Sequence, residues 1–237
     1  MNFFYLIKNF FFPGSCVLCD VSLTESKEIH YGLCEKCHSD INYINENKCN
    51  ICGKPLISEI ETCLQCRNKE NLKEEKSNID RLWTFFPYMG KYRKLLTEYK
   101  FKKNLILANL FAELITEVIK NEPLFENIEI VPVPPRPGKI KNLGWDQVDF
   151  LVKKLKKQSN FTVNRCLKRK KSKIQKQLNR AERMENLKGR IFIKGKAPKT
   201  ALIIDDVITT GSTMEVIAQV LKQAGTKKVY GLSLFYD

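Results

Sequence analysis

Two groups of residues in this 237-residue chain have types and spacings that could do chemistry. Cys16/Cys19, Cys34/Cys37, Cys49/Cys52 and Cys63/Cys66 form four CxxC pairs, and only Cys166 lies outside them. A CxxC turn presents two thiolates to one ion, and two turns complete the four soft ligands of a tetrahedral zinc site, so the eight cysteines predict two sites. Pairing neighbouring knuckles leaves loops of 14 and 10 residues, as in two consecutive zinc ribbons; a cross-braced pairing stays open. Four sulfurs per ion leave no position for a reacting water, so these sites are structural. A disulfide framework fits less well, because no secretory signal precedes the pairs and CxxC rings are short for structural bridges. His38, beside Cys37, is expected as a neighbour of a ligand more than as one. With few large apolar residues between the knuckles, the metal is expected to supply the folding energy there. Cys166, ending the run FTVNRCL, reads as a buried strand residue.

The second group lies in TALIIDDVITTGSTM, where an apolar run delivers Asp205 and Asp206 to its end and a Thr/Gly/Ser turn then opens a helix. Backbone amides from Thr209 to Thr213 can converge on a phosphate at a helix N-terminus, while two carboxylates accept from ribose hydroxyls or hold hydrated Mg²⁺. That pattern suits a phosphorylated sugar. No GxxxxGK[ST] loop occurs anywhere, which argues against a P-loop nucleotidase.

Positioning these residues requires a framework. IDRLWTFFPY, IEIVPVP, FTVNRCL, GRIFI, KTALIID and VYGLSLFY read as strands. GKYRKLLTEYKFKK, NLILANLFAELITEVIK, WDQVDFLVKKLKK and GSTMEVIAQVLKQAG carry apolar residues at helical spacing. Helices alternating with strands predict an α/β domain with a mostly parallel sheet covered by helices on both faces. Residues 1–70 would hold the N-terminal segment and the cysteine module, 71–78 a charged linker, and 79–237 the α/β domain. The apolar start MNFFYLIKNFFF is too short for a membrane span and contains Lys8, so a cytoplasmic location is expected.

Charge is distributed unevenly. The chain carries 41 Lys plus Arg against 26 Asp plus Glu, a formal +15, yet residues 136–200 alone hold 21 bases and 4 acids. Each Zn(Cys)₄ site carries −2, so two loaded sites would take residues 1–70 from −2 to −6. A polyanion partner is therefore expected at the basic segment and not at the ribbons. Lys168, Arg169, Lys170, Lys171 and Lys173 would neutralise backbone phosphates without regard to sequence. Base stacking needs aromatics, of which Trp145 and Phe161 are the nearest, Phe161 being the more natural core residue.

IIDDVITTGSTM resembles the phosphoribosyl-pyrophosphate (PRPP) signature of type I phosphoribosyltransferases. The knuckle pairs, YMGKYRKLLTEYKFKK, VPVPPRPGKIKNLGWDQ, the run from Gln175 through Leu178, Arg183 and Asn186 to Gly189, and this signature stand in the order of the ComF family of competence proteins. The resemblance covers nearly the whole chain. It implies that Asp205 and Asp206 bind the ribose hydroxyls, and that Val207 and the turn Thr209, Thr210, Gly211, Ser212 and Thr213 surround the 5-phosphate. It further implies that Val133, Pro134, Pro135 and Arg136, in an unusual backbone turn, and Lys100 hold pyrophosphate with Mg²⁺. Gln175, Arg183 and Asn186 would belong to a mobile loop closing over the reaction. The chain departs from the family's Arg-Gly-Phe-Asn-Gln block, having Leu143, Gly144, Trp145, Asp146 and Gln147. The block is left between a helix start, with Asp146 as its first-turn acid, and a ligand contact.

Two functions follow from the resemblance and the charge map. One is a PRPP-binding protein with a basic surface for single-stranded DNA, acting in DNA uptake during natural transformation and meeting DNA-uptake or recombination proteins. The other is a conventional phosphoribosyltransferase acting on a base or amine. No nucleobase-reading motif and no N-terminal glutaminase cysteine identify an acceptor.

Overall fold

The computed structural model describes residues 14–41, 48–49, 51–54, 56, 60–71, 77–170, 187 and 189–237. The N-terminal module contributes three short helices, α1 (Ser26–Tyr31), α2 (Glu35–Ser39) and α3 (Leu64–Asn71). There follow β1 (Arg81–Pro87), α4 (Gly90–Lys100), α5 (Ala108–Asn121), β2 (Glu129–Pro132), α6 (Lys139–Leu143) and α7 (Gln147–Ser159). The chain closes with β3 (Leu167–Arg169), β4 (Ile191–Ile193), β5 (Thr200–Ile208), α8 (Ser212–Gln223) and β6 (Lys228–Tyr236).

β1, β6, β5 and β2 lie side by side in that order, every neighbouring pair parallel. Because successive side chains of a strand point to opposite faces, each strand feeds two cores. Ile130 of β2 and Leu202 and Ile204 of β5 pack with Leu114 and Ile115 of α5 and Leu151 and Leu155 of α7. Val131, Ala201 and Ile203 point the other way, onto Met214, Ile217 and Leu221 of α8. α5 can serve this interior because Leu110, Phe111, Leu114, Ile115 and Ile119 recur at three- and four-residue spacing and all are buried. The expected mostly parallel sheet flanked by helices is thus the architecture.

One expected strand is not formed as read. FTVNRCL touches the sheet by a single parallel bridge, Ile130 to Val163, and regular pairing resumes only at Leu167, in the antiparallel β3–β4 hairpin. Asn164 explains the interruption. Its Oδ1 accepts from the Cys166 amide, an Asx turn, while its Nδ2 donates to Glu129 and the Lys196 carbonyl, bending the chain off the sheet edge. Cys166 is buried as expected, just before the strand and not inside it.

The N-terminal module shares the larger core. Leu23, Tyr31, Leu33 and Ile41 are buried in the same cluster as Phe111 and Ile115, so apolar packing joins the metal in holding this module, beyond what the spacing of its apolar residues suggested. Its first half lies on α5 and α4: the Tyr31 hydroxyl donates to Glu113, Asn109 Nδ2 to the His30 carbonyl at 2.5 Å, and Lys94 Nζ to the Leu18 carbonyl. Its second half covers β1, with the Thr84 hydroxyl donating to the Gly53 carbonyl at 2.7 Å and Lys48 Nζ to the Thr84 carbonyl. A Cβ at Gly53, which sits at φ +69°, would lie 2.4 Å from the Leu82 carbonyl oxygen, so only glycine permits this approach. No helix among the described residues is long and apolar enough to cross a membrane.

Candidate functional site

The sulfurs of Cys16, Cys19, Cys34 and Cys37 lie within 4.8 Å of one another, and so do those of Cys49, Cys52, Cys63 and Cys66. The fold therefore brings neighbouring knuckles together, the sequential pairing. Sulfurs on a zinc ion at about 2.3 Å stand about 3.8 Å apart, and the Cys19–Cys34 and Cys52–Cys63 separations are 3.6 and 3.7 Å. Burial opposes ionisation of Cys16 and Cys49, but amide N–H groups of the knuckle turns outweigh it and hold both thiols at about 7. Burial and the neighbouring sulfurs push Cys37 and Cys66 strongly up. Four thiolates at one point thus require a cation, and the donor set fits structural Zn²⁺. His38 stacks on Tyr31 with centroids 4.7 Å apart and stands outside both clusters.

A second anionic site forms at the carboxyl ends of β2 and β5, the edge of a parallel sheet where ligands usually bind. Asp206 is buried, with its Oδ2 2.5 Å from Lys100 Nζ and 2.8 Å from Gln147 Nε2. Burial alone would raise its pKa, but Lys100 first, then Asp205 and Gln147, bring it below the usual carboxylate range. Asp205 moves the opposite way: burial, and then the charge of Asp206, push it well up, although its Oδ1 accepts from the Asp206 amide at 2.8 Å. The two carboxyls are thus driven in opposite directions, Asp206 toward its charged form and Asp205 toward its neutral one. A bound cation would favour ionisation of both, so two hard oxygen donors in a buried setting fit Mg²⁺.

Beyond Asp206, the half-buried Val207 packs against the larger core and Ile208 leads into the Thr209–Thr213 turn. Gly211, at φ +76°, caps α8; the Thr210 and Ser212 hydroxyls lie 2.8 Å apart, and Ser212 is buried where the helix begins. The turn after β2 lies beside this site, tied by the Val133 amide donating to the Ile204 carbonyl at 3.0 Å. There Pro134 is buried, Pro135 half-buried and Arg136 exposed, and no cis peptide bond occurs among the described residues.

Lys100, expected beside pyrophosphate, directs its ammonium to Asp206, the nearest buried charge. Asp146 is the N-cap of α7, accepting from the amides of Val148 and Asp149 at 3.0 and 2.9 Å, and it pairs with Lys139 at 2.7 Å. The helix-start role therefore describes it. Its neighbour Gln147 makes the link to the site, flanked by Lys139, which donates to its Oε1, and by Tyr99, which donates to its carbonyl. Sequence reasoning passed over Lys139 and Tyr99 and met Gln147 only within the block left between a helix start and a ligand contact, because nothing in their spacing shows that three separate segments meet at Asp206.

The residues expected at a nucleic-acid surface divide. Lys168 and Lys170 are exposed, while Arg169 between them is turned in. Phe192 faces Lys168 across the hairpin, and the Lys170 ammonium lies 5.3 Å from its ring centroid. Trp145 stacks edge-on against Tyr99, and Phe161 packs on the larger core. Gln175, Arg183, Asn186, Lys171 and Lys173 lie outside the described residues.

Comparison with known proteins agrees with this arrangement. Residues 7–67 match the family model of the double zinc ribbon domain. Competence protein ComFC of Streptococcus pneumoniae is 28% identical over 85% of this chain and 86% of its own. Competence protein F of Haemophilus influenzae is 27% identical over 94% of this chain and 98% of its own, and the DNA utilization protein YhgH of Escherichia coli 25% over 92% and 94%. Among solved structures, a hypoxanthine phosphoribosyltransferase from Staphylococcus aureus aligns over 55% of this chain and 62% of its own at 13% identity, with a TM-score of 0.34, too slight a likeness to argue from. The chain thus matches a double zinc ribbon at its N-terminal end and is similar, nearly end to end, to proteins named for competence and DNA utilization.

Proposed function

We propose that this protein binds PRPP with Mg²⁺ at the ends of β2 and β5 and handles single-stranded DNA on the outer face of the β3–β4 hairpin, in DNA uptake. The observation that carries the first half is the Asp205–Asp206 pair, Asp206 buried and Asp205 half-buried, opening onto a glycine-capped helix start. The carboxylates would accept from the ribose hydroxyls, or hold the hydrated cation that makes their joint ionisation affordable. The Thr209–Thr213 turn would donate to the 5-phosphate with the favourable end of the α8 dipole behind it. The turn from Val133 to Arg136 would receive the pyrophosphate. Mg²⁺ would supply charge neutralisation for the diphosphate.

The DNA half rests on chemistry and relatedness. Lys168 and Lys170 beside the exposed face of Phe192 combine cations with an aromatic ring, the composition that tracks a phosphate backbone and stacks bases. Relatives along nearly the whole chain are named for competence and DNA utilization, which supports the same reading.

Calorimetric titration with PRPP and Mg²⁺, and single-strand binding across a salt series, test the two halves separately. Wild type should bind PRPP and lose that binding in the Asp205→Asn/Asp206→Asn double variant. Oligonucleotide affinity should fall steeply as salt rises. Absence of PRPP binding would sink the sugar site, and absence of strand binding even at low salt would sink the DNA surface. Steady pyrophosphate release with a base or amine acceptor would show instead a conventional transferase.

A further inference from the structure

The opposite end of the sheet, where β2 and β5 begin, holds a cleft of about 390 Å³ that the sugar site does not use. Glu129, Asn164, Lys196, Ala197, Lys199 and Thr200 line it. A strand rises about 3.3 Å per residue, which sets Thr200 about 20 Å from Asp206 along β5, so the two sites are separate. The volume suits a small ligand group, since ligand pockets run from about 300 to 1,000 Å³. Among the described residues that line the cleft, Glu129 is the only acid. Asn164 Nδ2 donates to its Oε2 at 2.9 Å, and its Oε1 has no donor among the described residues.

Lysines surround this carboxylate. Lys222 and Lys228 pair with Asp80, whereas Lys194, Lys196, Lys199 and Lys227 are exposed and have no carboxylate partner among the described residues. Backbone hydrogen bonds set them in order. The Lys227 amide donates to the Lys199 carbonyl, Asn164 donates to the Lys196 carbonyl, and the Lys194 amide donates to the Cys166 carbonyl just beyond the β3–β4 pairing. Side chains two apart in a strand share a face, so Lys194 falls on the face of Phe192, which Lys168 opposes and Lys170 approaches. The cations therefore form one line from the hairpin to the cleft.

We infer that single-stranded DNA leaves the hairpin along this line, with phosphates on Lys194, Lys196, Lys199 and Lys227 and one base in the cleft, its exocyclic amine donating to Glu129. That the polymer is single-stranded DNA rests on the function proposed above; its path rests on the lysine line and the cleft. Phosphates need only cations, whereas a carboxylate repels a phosphate and accepts from an amino group, so Glu129 addresses a base. Cytosine presents its N4 amine where thymine presents the acceptor O4, which a carboxylate rejects. The strand thus runs to the end of the sheet opposite the sugar site, and both ligands can be held at once.

The test measures fluorescence anisotropy of labelled oligo-dC and oligo-dT with full-length, zinc-loaded protein across a salt series. Lys196→Ala/Lys199→Ala should weaken both strands by about tenfold and make the log–log salt slope shallower by about 1.4, as two lost phosphate contacts require. Both lysines are exposed, so this variant should melt with the wild type. Wild type should prefer oligo-dC by about fivefold. Glu129→Gln, whose Oε1 keeps the bond from Asn164 and turns an amine to the cleft, should invert that preference. If Lys196→Ala/Lys199→Ala keeps wild-type affinity and slope while Lys168→Ala/Lys170→Ala loses them, the path is wrong and the hairpin surface stands. If the reverse holds, the cleft stands and the hairpin surface falls. Equal affinity of wild type for the two strands overturns the base in the cleft. Failure to bind either strand at low salt overturns the path together with the single-strand reading.

Discussion

The two cysteine clusters and the Asp205–Asp206 pair both crowd anions into a protected space, and the fold neutralises them by different means. In the clusters, backbone amides lower one thiol each while the remaining sulfurs work against one another, so only an ion at the centre satisfies all four. In the carboxylate pair, Lys100 and Gln147 serve Asp206, and Asp205 is left favouring its proton. A four-thiolate cage is closed and permanent. A lysine counterion can swing aside, and a proton can leave, when a ligand and its metal arrive. The difference separates a closed cage that builds the fold from a pair whose charges stay adjustable.

Stripping the metal should have the largest effect. Chelation is expected to release two ions per chain and to forfeit on the order of 10 kcal/mol of binding free energy. The module should unfold, visible as lost helical signal, and hydrogen exchange should quicken along β1, which the second half of the module covers. A chain that keeps its melting temperature in chelator would erase the contrast. Next comes Lys100→Ala, which leaves Asp206 a buried carboxylate without its cation and should cost about 3 kcal/mol in urea unfolding at neutral pH. Since Asp206 is held below the ordinary carboxylate value, the stability it contributes is present above that value and lost as the pH falls through its lowered one. The gap between variant and wild type should therefore close in acid; a gap that persists there would mean Lys100 acts by packing.

Asp205→Asn should have the smallest effect and the opposite sign. With its pKa raised in the fold, Asp205 costs stability as the pH climbs above the ordinary carboxylate range, because the unfolded chain gives up that proton first. The amide removes this cost, so the variant should gain about 1 kcal/mol near neutral pH. It should also lose Mg²⁺-dependent sugar binding, and a variant that is less stable instead would show Asp205 to be ionised and paired.

Much of this was legible in one dimension. The CxxC spacing announces its own chelate geometry, because two residues between ligands make a turn of fixed reach whatever surrounds it. The helical stripe from Leu110 to Ile119 and the apolar run of β5 are local periodicities, and both elements formed where expected. FTVNRCL was misread because alternation says nothing of a side chain such as Asn164 capturing its own backbone. The contacts of Gln147, Lys139 and Tyr99 were invisible for another reason: they join residues up to 59 positions apart, and long-range proximity leaves no mark in spacing.

By itself, then, the sequence determined which cysteines carry metal-binding chemistry, where the acidic pair and its Thr/Gly/Ser turn lie, the elements that bear them, and the segment that holds the positive charge. The tertiary structure alone decided which knuckles pair and that the ribbon packs into the common core. It also decided that Lys100 meets Asp206, and that Arg169 is half-buried while its neighbouring lysines face water. Local composition sets what a residue can do. Burial and the approach of distant charges set what it does, and those quantities exist only once the chain has folded.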